Sequence, residues 1–300
     1  MRGVRLLIAV AVASAATGVA AARQTPECFG AAARDTANPC DNPDLHVSAT
    51  PSPEDAPLLP ALPCTFVRYR TPHVCAFATS KKRATRSIAL LGDSHAPAWR
   101  AAVNVLARNR RWRGLTLARS SCPFSTARHR GISRKNAKTC ATWIRGVYAW
   151  FRRHREVRTV FFVNSMAYDF TTDPVAGYRT ALDALPPSVE RIVVIRDNPK
   201  ATIDTLPCVD RALRRRERPD RRCALNRAEV LPPDPAADAA PLLTRGATID
   251  LTRFFCDDTH CYPVVGGALV YKDTSHITQV FSRSLGRYLA AEFRALSPSA

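Results

Sequence analysis

From Arg86 onward, short apolar runs alternate with longer stretches whose apolar residues recur at helical spacing, and this alternation limits the fold more than any other feature of the chain. The runs predict strands at Ser87–Gly92, Gly114–Ala118, Val157–Val163, Arg191–Arg196 and Ala247–Leu251. Helices are expected over Ala96–Arg108, with Trp99, Ala102, Val103 and Leu106 on one face, and over Ala137–His154, where Trp143, Val147, Trp150 and Phe151 mark the inner face. A third helix is expected near Pro174–Leu185 and a closing one over Ile277–Leu296. Strands separated by crossover helices form parallel sheets covered on both faces, so the pattern predicts an α/β domain with a mostly parallel sheet. Ligand sites in such sheets lie beyond the carboxyl ends of the strands, where Ser94, Asn164 and Asp197 would emerge. The basic stretch Leu206–Pro235 reads as a long, partly helical insertion, and Cys256–Tyr271 as a hairpin-like excursion.

The segment before this pattern is different. Residues 1–22 carry Arg2 and Arg5, then an uncharged run from Leu6 ending in Ala20-Ala21-Ala22, the layout of a secretory signal peptide, with an uncleaved membrane anchor as the alternative. Residues 23–85 are rich in proline and lack a sustained period, which predicts an irregular extension packed on the main domain of residues 86–300. Ten cysteines fall along the chain as neighbouring couples. Sequence does not determine connectivity, but local staples are the simplest pairing: Cys28–Cys40, Cys64–Cys75, Cys122–Cys140, Cys208–Cys223 and Cys256–Cys261. Disulfides persist outside the reducing cytosol, so the expected location is secreted or extracytoplasmic, in association with the cell envelope. A metal site is the competing reading at Cys256-Asp257-Asp258-Thr259-His260-Cys261, although the spacing matches no usual zinc pattern; neither a metal nor a cofactor is expected.

Removing Arg2 and Arg5 from the formal net charge of +19 leaves +17, which favours anionic partners such as wall polymers or acidic polysaccharides. Only six residues are lysine, and the abundance of arginine, alanine and proline looks as much like genome composition as like a binding surface. No aromatic–basic alternation accompanies the arginines, so nucleic acid is not an expected partner.

Two pieces carry reaction chemistry. The first predicted strand ends in Gly92-Asp93-Ser94-His95, a tight exit that sets a serine at the start of a helix, where free N–H groups face developing negative charge. Near the end of the chain, Asp273-Thr274-Ser275-His276 offers a base and a carboxylate to orient it. A serine hydroxyl is a weak nucleophile unless a base lies within hydrogen-bond reach, so Ser94, His276 and Asp273 together make a serine acyl-transfer site. Capping alone would also account for the aspartates and serines at these turns. His95 and His260 are rival bases by sequence; a pocket-lining or capping role suits His95, and a rim role suits His260. Arg196 and Asp197 end a strand on the site side, where they would meet substrate or form a salt bridge.

On these residues the chain resembles the SGNH hydrolases, with Gly92-Asp93-Ser94-His95 similar to their first motif block and Asp273-Thr274-Ser275-His276 to their final Asp-x-x-His block. The resemblance is closest to the extracytoplasmic SGNH domain fused to bacterial membrane acyltransferases that O-acetylate cell-surface glycans; Cys28-Phe29-Gly30-Ala31-Ala32 and Ser121-Cys122-Pro123 also fit it. It implies a three-layer α/β/α sandwich, flavodoxin-like, with Ser94 as nucleophile, His276 as base and Asp273 as its partner. Two departures stand out. The second block lacks its glycine, reading Arg119-Ser120-Ser121-Cys122, and the third reads Val163-Asn164-Ser165 without the usual Gly-x-Asn-Asp. Ser121 and Asn164 are therefore the candidates for the oxyanion or substrate groups at those blocks, beside His95, Asp197 and the Ser94 N–H. The membrane acyltransferase spans are not found in this chain. The resulting expectation is an exported, monomeric O-acyltransferase or acetylesterase acting on an anionic or neutral cell-surface glycan, with a separate membrane acyltransferase as its partner. A non-catalytic cationic envelope-binding module on the same fold is the alternative.

Overall fold

The computed structural model describes residues 25–68 and 70–296, so the expected signal peptide lies outside the described residues. Seven strands form the central sheet: β1 (Thr65–Arg68), β2 (Val74–Ala78), β3 (Arg86–Gly92), β4 (Trp112–Ala118), β5 (Val157–Val163), β6 (Arg191–Ile195) and, after the short β7 (Leu225–Asn226), β8 (Gly246–Ile249). Their spatial order is β1-β2-β4-β3-β5-β6-β8. The five strands from β4 to β8 in that order are mutually parallel, whereas β1 and β2 join as an antiparallel edge. Those two edge strands come from the proline-rich segment before residue 85, so the extension is partly woven into the sheet.

Side chains of successive strand residues point to opposite faces, and both faces are dry here. Ile88, Leu90, Phe161, Val163, Val193 and Ile195 pack on one side against α1 (His95–Asn109), α8 (Gln279–Ser284) and α9 (Gly286–Ala295). Ala89, Leu91, Val160, Phe162, Ile192 and Val194 pack on the other against α2 (Arg134–Arg153), α3 (Pro174–Asp183) and α7 (Pro235–Ala239). The result is the three-layer α/β/α sandwich. The helix faces read from sequence are the ones buried: Trp99, Ala102, Val103 and Leu106 on α1, and Trp143, Val147, Trp150 and Phe151 on α2. Full burial of one such large side chain stabilises the fold by about 1.5–3 kcal/mol. The guanidinium groups of Arg86 and Arg110 lie over the ring of Trp112, which meets Phe293 edge-on.

The long basic insertion holds α4 (Thr205–Arg214), α5 (Pro219–Arg222) and α6 (Arg227–Val230), with Cys208–Cys223 tying α4 to the end of α5. All five disulfides join neighbouring couples, Cys28–Cys40, Cys64–Cys75, Cys122–Cys140, Cys208–Cys223 and Cys256–Cys261. Because Cys256 and Cys261 bond to each other, they cannot supply the thiolates that a metal at that loop would need. The closing helix is two helices rather than one. The two meet at Leu285, and the next residue, Gly286, packs so closely on α1 that a Cβ there would collide with Val105.

Between β3 and β5 the chain changes direction across the sheet: it goes first to β4 on one side of β3 and then crosses to β5 on the other. Loops leaving the carboxyl ends of β3 and β5 diverge there and leave a crevice.

Candidate active site

Gly92 ends β3 where a Cβ would collide with the carbonyl oxygen of Val163 on β5, so only glycine lets the two strand ends approach. Asp93 then stitches the turns together. It is fully buried, with Oδ1 accepting the N–H of His95 at 2.8 Å and Oδ2 accepting the N–H of Ser165 at 3.0 Å, while the Tyr168 hydroxyl also bonds to it. Burial pushes the Asp93 carboxyl up, against the pull of His95 and these hydrogen bonds. Ser94 follows as the N-cap of α1, yet its side chain does not cap the helix. Its Oγ lies 2.8 Å from Nε2 of His276 instead.

His276 sits in the loop between Tyr271 and Ile277, which is closed by a bridge between those two residues and by the Lys272 N–H donating to the His276 carbonyl at 2.9 Å. Asp273 folds this loop. Its Oδ1 accepts the N–H groups of Ser275 and His276 at 2.9 and 2.8 Å, and its carboxylate faces Nδ1 of the imidazole at 2.9 and 3.0 Å. Burial pushes the Asp273 carboxyl up, but the bonds from His276 and the two N–H groups outweigh it and hold the group well below the usual carboxylate range. Asp273 therefore stays ionised and selects the tautomer with the proton on Nδ1, which leaves Nε2 free to accept from Ser94. The loop is fastened to the end of β6 by Asn198, whose Nδ2 donates to the Ser275 carbonyl at 2.7 Å, and by the Ala201 N–H donating to the Thr274 carbonyl at 2.9 Å. The side chains of His276 and Asp273 keep 26% and 42% of their exposure, so the chain of groups is reachable from solvent. Ser94 and His276 open into a cavity of about 220 Å³.

The other four residues singled out from sequence occupy different places, and none of them lines this cavity. His95 and Asp197 are consumed by each other. Nδ1 of His95 lies 2.7 Å from Oδ1 of Asp197, with both groups almost fully buried. Burial disfavours the imidazolium, but the Asp197 carboxylate, aided by Asp93 and Asp273, raises the His95 pKa to about 9. Asp197 also accepts the Met166 N–H at 3.1 Å, and its own N–H donates to Asp234 at 2.8 Å. Asp234 caps α7, and burial raises its carboxyl to about 6. The His95 ring packs against that of His276 at 4.7 Å between centroids, which puts this buried chain directly behind the exposed one. Asn164 is 1% exposed and turns its Nδ2 to the Tyr178 hydroxyl at 3.4 Å, because the end of β5 is roofed by α3. Ser121 is exposed in the turn after β4 and takes φ of 56°, the left-handed conformation in which glycine is usual. Arg196 forms the strand-end salt bridges, reaching Asp250 at 3.1 Å and Asp238 at 3.8 Å, and His260 is exposed on the Cys256–Cys261 loop. Asp93, Asn198 and Asp234 were not singled out from sequence, and the Asp-before-Ala-Ala helix start at Asp234 was the one readable signal among them.

No helix among the described residues is long and apolar enough to cross a membrane. A search of curated proteins finds no match. Among solved structures, the chain is similar to the periplasmic domain of a lipopolysaccharide acetyltransferase from Salmonella ser. Paratyphi A, with a TM-score of 0.54 and 14% identity over 71% of this chain and 85% of that one. That likeness concerns the fold. The model of the SGNH domain that occurs fused to AT3 domains matches residues 63–291, from the disulfide before β1 to the middle of α9. The match spans the serine turn, the Asp-x-x-His loop and the whole sheet, and the chain belongs to this family of SGNH domains.

Proposed function

We propose that the protein transfers acyl groups through an acyl-Ser94 intermediate, acting as an O-acyltransferase or acetylesterase on a cell-envelope polysaccharide. The observation that carries this reading is the continuous hydrogen-bond chain from Ser94 Oγ through His276 to Asp273. As Ser94 Oγ attacks the acyl carbonyl carbon, its proton passes to Nε2 of His276, and Asp273 stabilises the resulting imidazolium. The electron pair of the carbonyl bond moves to oxygen. The Ser94 N–H, at the start of α1 and without a partner among the described residues, is the donor for that oxyanion, aided by the positive end of the helix. Collapse expels the alcohol or other leaving group, which takes the proton from His276. A glycan hydroxyl then attacks the acyl-serine, giving its proton to His276, and the acyl–Oγ bond breaks as His276 returns that proton to Ser94 Oγ; water in the same place gives hydrolysis.

Family membership supports a membrane acyltransferase as the source of the acyl group, since domains of this family occur fused to AT3 domains. The five disulfides support an extracytoplasmic site of action. A module that only bound anionic polymer would not need a base aligned on a serine. Replacing Ser94 by Ala is expected to abolish hydrolysis of a small acetyl ester while the protein stays folded; full activity in that variant would refute the assignment.

A further inference from the structure

The cavity at Ser94 is lined in part by a segment that has no chemistry of its own. Pro60 and Ala61, from the extension, line it together with Pro97, Ala98, Ile277, Ser94 and His276. The family match begins at residue 63, so this wall is supplied from outside the matched domain. Two cations hold it. Nζ of Lys272, next to Asp273, donates to the Leu59 carbonyl at 2.7 Å. Nε of Arg100 donates to the Leu62 carbonyl at 2.8 Å, and Nη2 bonds to the same oxygen. Arg100 is 7% exposed, and among the described residues no carboxylate pairs with it. A buried guanidinium without a counter-ion is costly, and here two of its nitrogens converge on one carbonyl of the strap. Just beyond, Cys64–Cys75 fastens the chain to β2. Both ends of residues 59–62 are thus pinned to helix α1, the catalytic loop and the sheet.

Resting on the reading of Ser94 as an acyl carrier, we infer that the strap of residues 59–62 is the size filter for the acyl group, clamped shut by Lys272 and Arg100. Ala61, Pro97, Ala98 and Ile277 give the cavity small apolar surfaces that accept a short, uncharged acyl chain, while Lys272 and Gln279 are polar groups on the same lining. Pro60 and Ala61 stop a longer chain from extending past the rim. The glycan approaches from the open side, where His276 and Asp273 are exposed.

The test uses alkyl phosphonofluoridates with methyl, butyl and hexyl arms, with the rate of Ser94 labelling read by intact mass. Hydrophobic pockets discriminate by roughly tenfold or more per methylene misfit, so the wild-type protein is expected to react at least about tenfold faster with the methyl than with the hexyl probe. The double variant Lys272→Met, Arg100→Met frees the strap and should lose most of that preference. Ala61→Leu fills the wall and should slow the butyl probe about tenfold while sparing the methyl probe. Should the double variant not fold, Ala61→Leu and Ala98→Leu carry the test by narrowing the profile. A chain-length profile that is flat in the wild type, or unchanged in the variants, overturns the size filter and leaves the acyl-serine reading standing. Absence of labelling by every probe overturns the acyl-serine reading itself.

Discussion

Asp197→Asn is the substitution with the largest consequence predictable from the structure. In the wild type the side chain neutralises a buried imidazolium at 2.7 Å and accepts the Met166 N–H. The variant keeps the shape and the acceptor oxygen but removes the charge, leaving His95 without its partner in a site that is 3% exposed. Breaking a buried ion pair from one side costs about 3–5 kcal/mol. The raised pKa expresses the same interaction: His95 at about 9, against 6.5 for the free side chain, corresponds to roughly 3 kcal/mol of preference for the charged form. The sign follows from linkage. A group whose pKa is raised by folding contributes fully below its unfolded value, and the contribution disappears as pH rises through the folded one. Wild-type stability should therefore decline between about pH 6.5 and 9, and the variant should lack that part of the decline. Thermal melts of the oxidised protein at pH 6.5 and pH 9.5 are the assay. At the lower pH the melting temperature of the variant is expected to fall by roughly 6–20 °C, and the difference should shrink markedly at the higher pH. An equal loss at both pH values would refute the account of His95 as a buried cation.

Asp273→Asn removes the carboxylate that holds the His276 tautomer, and turnover of an acetyl ester should fall by about 10³–10⁴ with little change in fold, as a steady-state assay beside a far-ultraviolet spectrum would show. Gly92→Ala should fail to accumulate as folded protein, since its methyl group meets the Val163 carbonyl at the junction of β3 and β5; soluble expression with a cooperative melt would contradict the packing argument. Replacing both Cys122 and Cys140 by Ser removes the staple between the turn after β4 and α2, and denaturant titration should show a loss of about 2–4 kcal/mol.

The parallel core and the Ser94–His276–Asp273 chain were legible because their determinants are local. β3 and β5 are runs of apolar residues, and each half of the site is a contiguous block of four residues. The pairing of neighbouring cysteines was equally local. What escaped was what depends on distant contacts. His95 meets Asp197 across 102 positions, and nothing in a Gly-Asp-Ser-His turn tells that its histidine is buried behind His276 rather than lining the cavity. β1 and β2 are four and five residues long and flanked by prolines, too short for a period of two to stand out, and β1 is mostly exposed. The strap that walls the cavity is held through the carbonyls of Leu59 and Leu62, groups that every residue carries, so its placement leaves no mark in the composition. The close approach of Gly286 to Val105, beside the junction of α8 and α9, is likewise a distant contact that helical periodicity does not register.

The central claim is that Ser94 carries an acyl group, and the most direct measurement is the mass of the intact protein, quenched in acid during exposure to an activated acetyl ester. The wild type is expected to gain one acetyl group, localised to the peptide containing Ser94, with the adduct persisting longer in the His276→Ala protein once the serine is acylated with a more reactive donor. Wild-type protein that turns over the ester with no adduct on Ser94, or a Ser94→Ala protein that acquires the same mass on the same peptide, would contradict it.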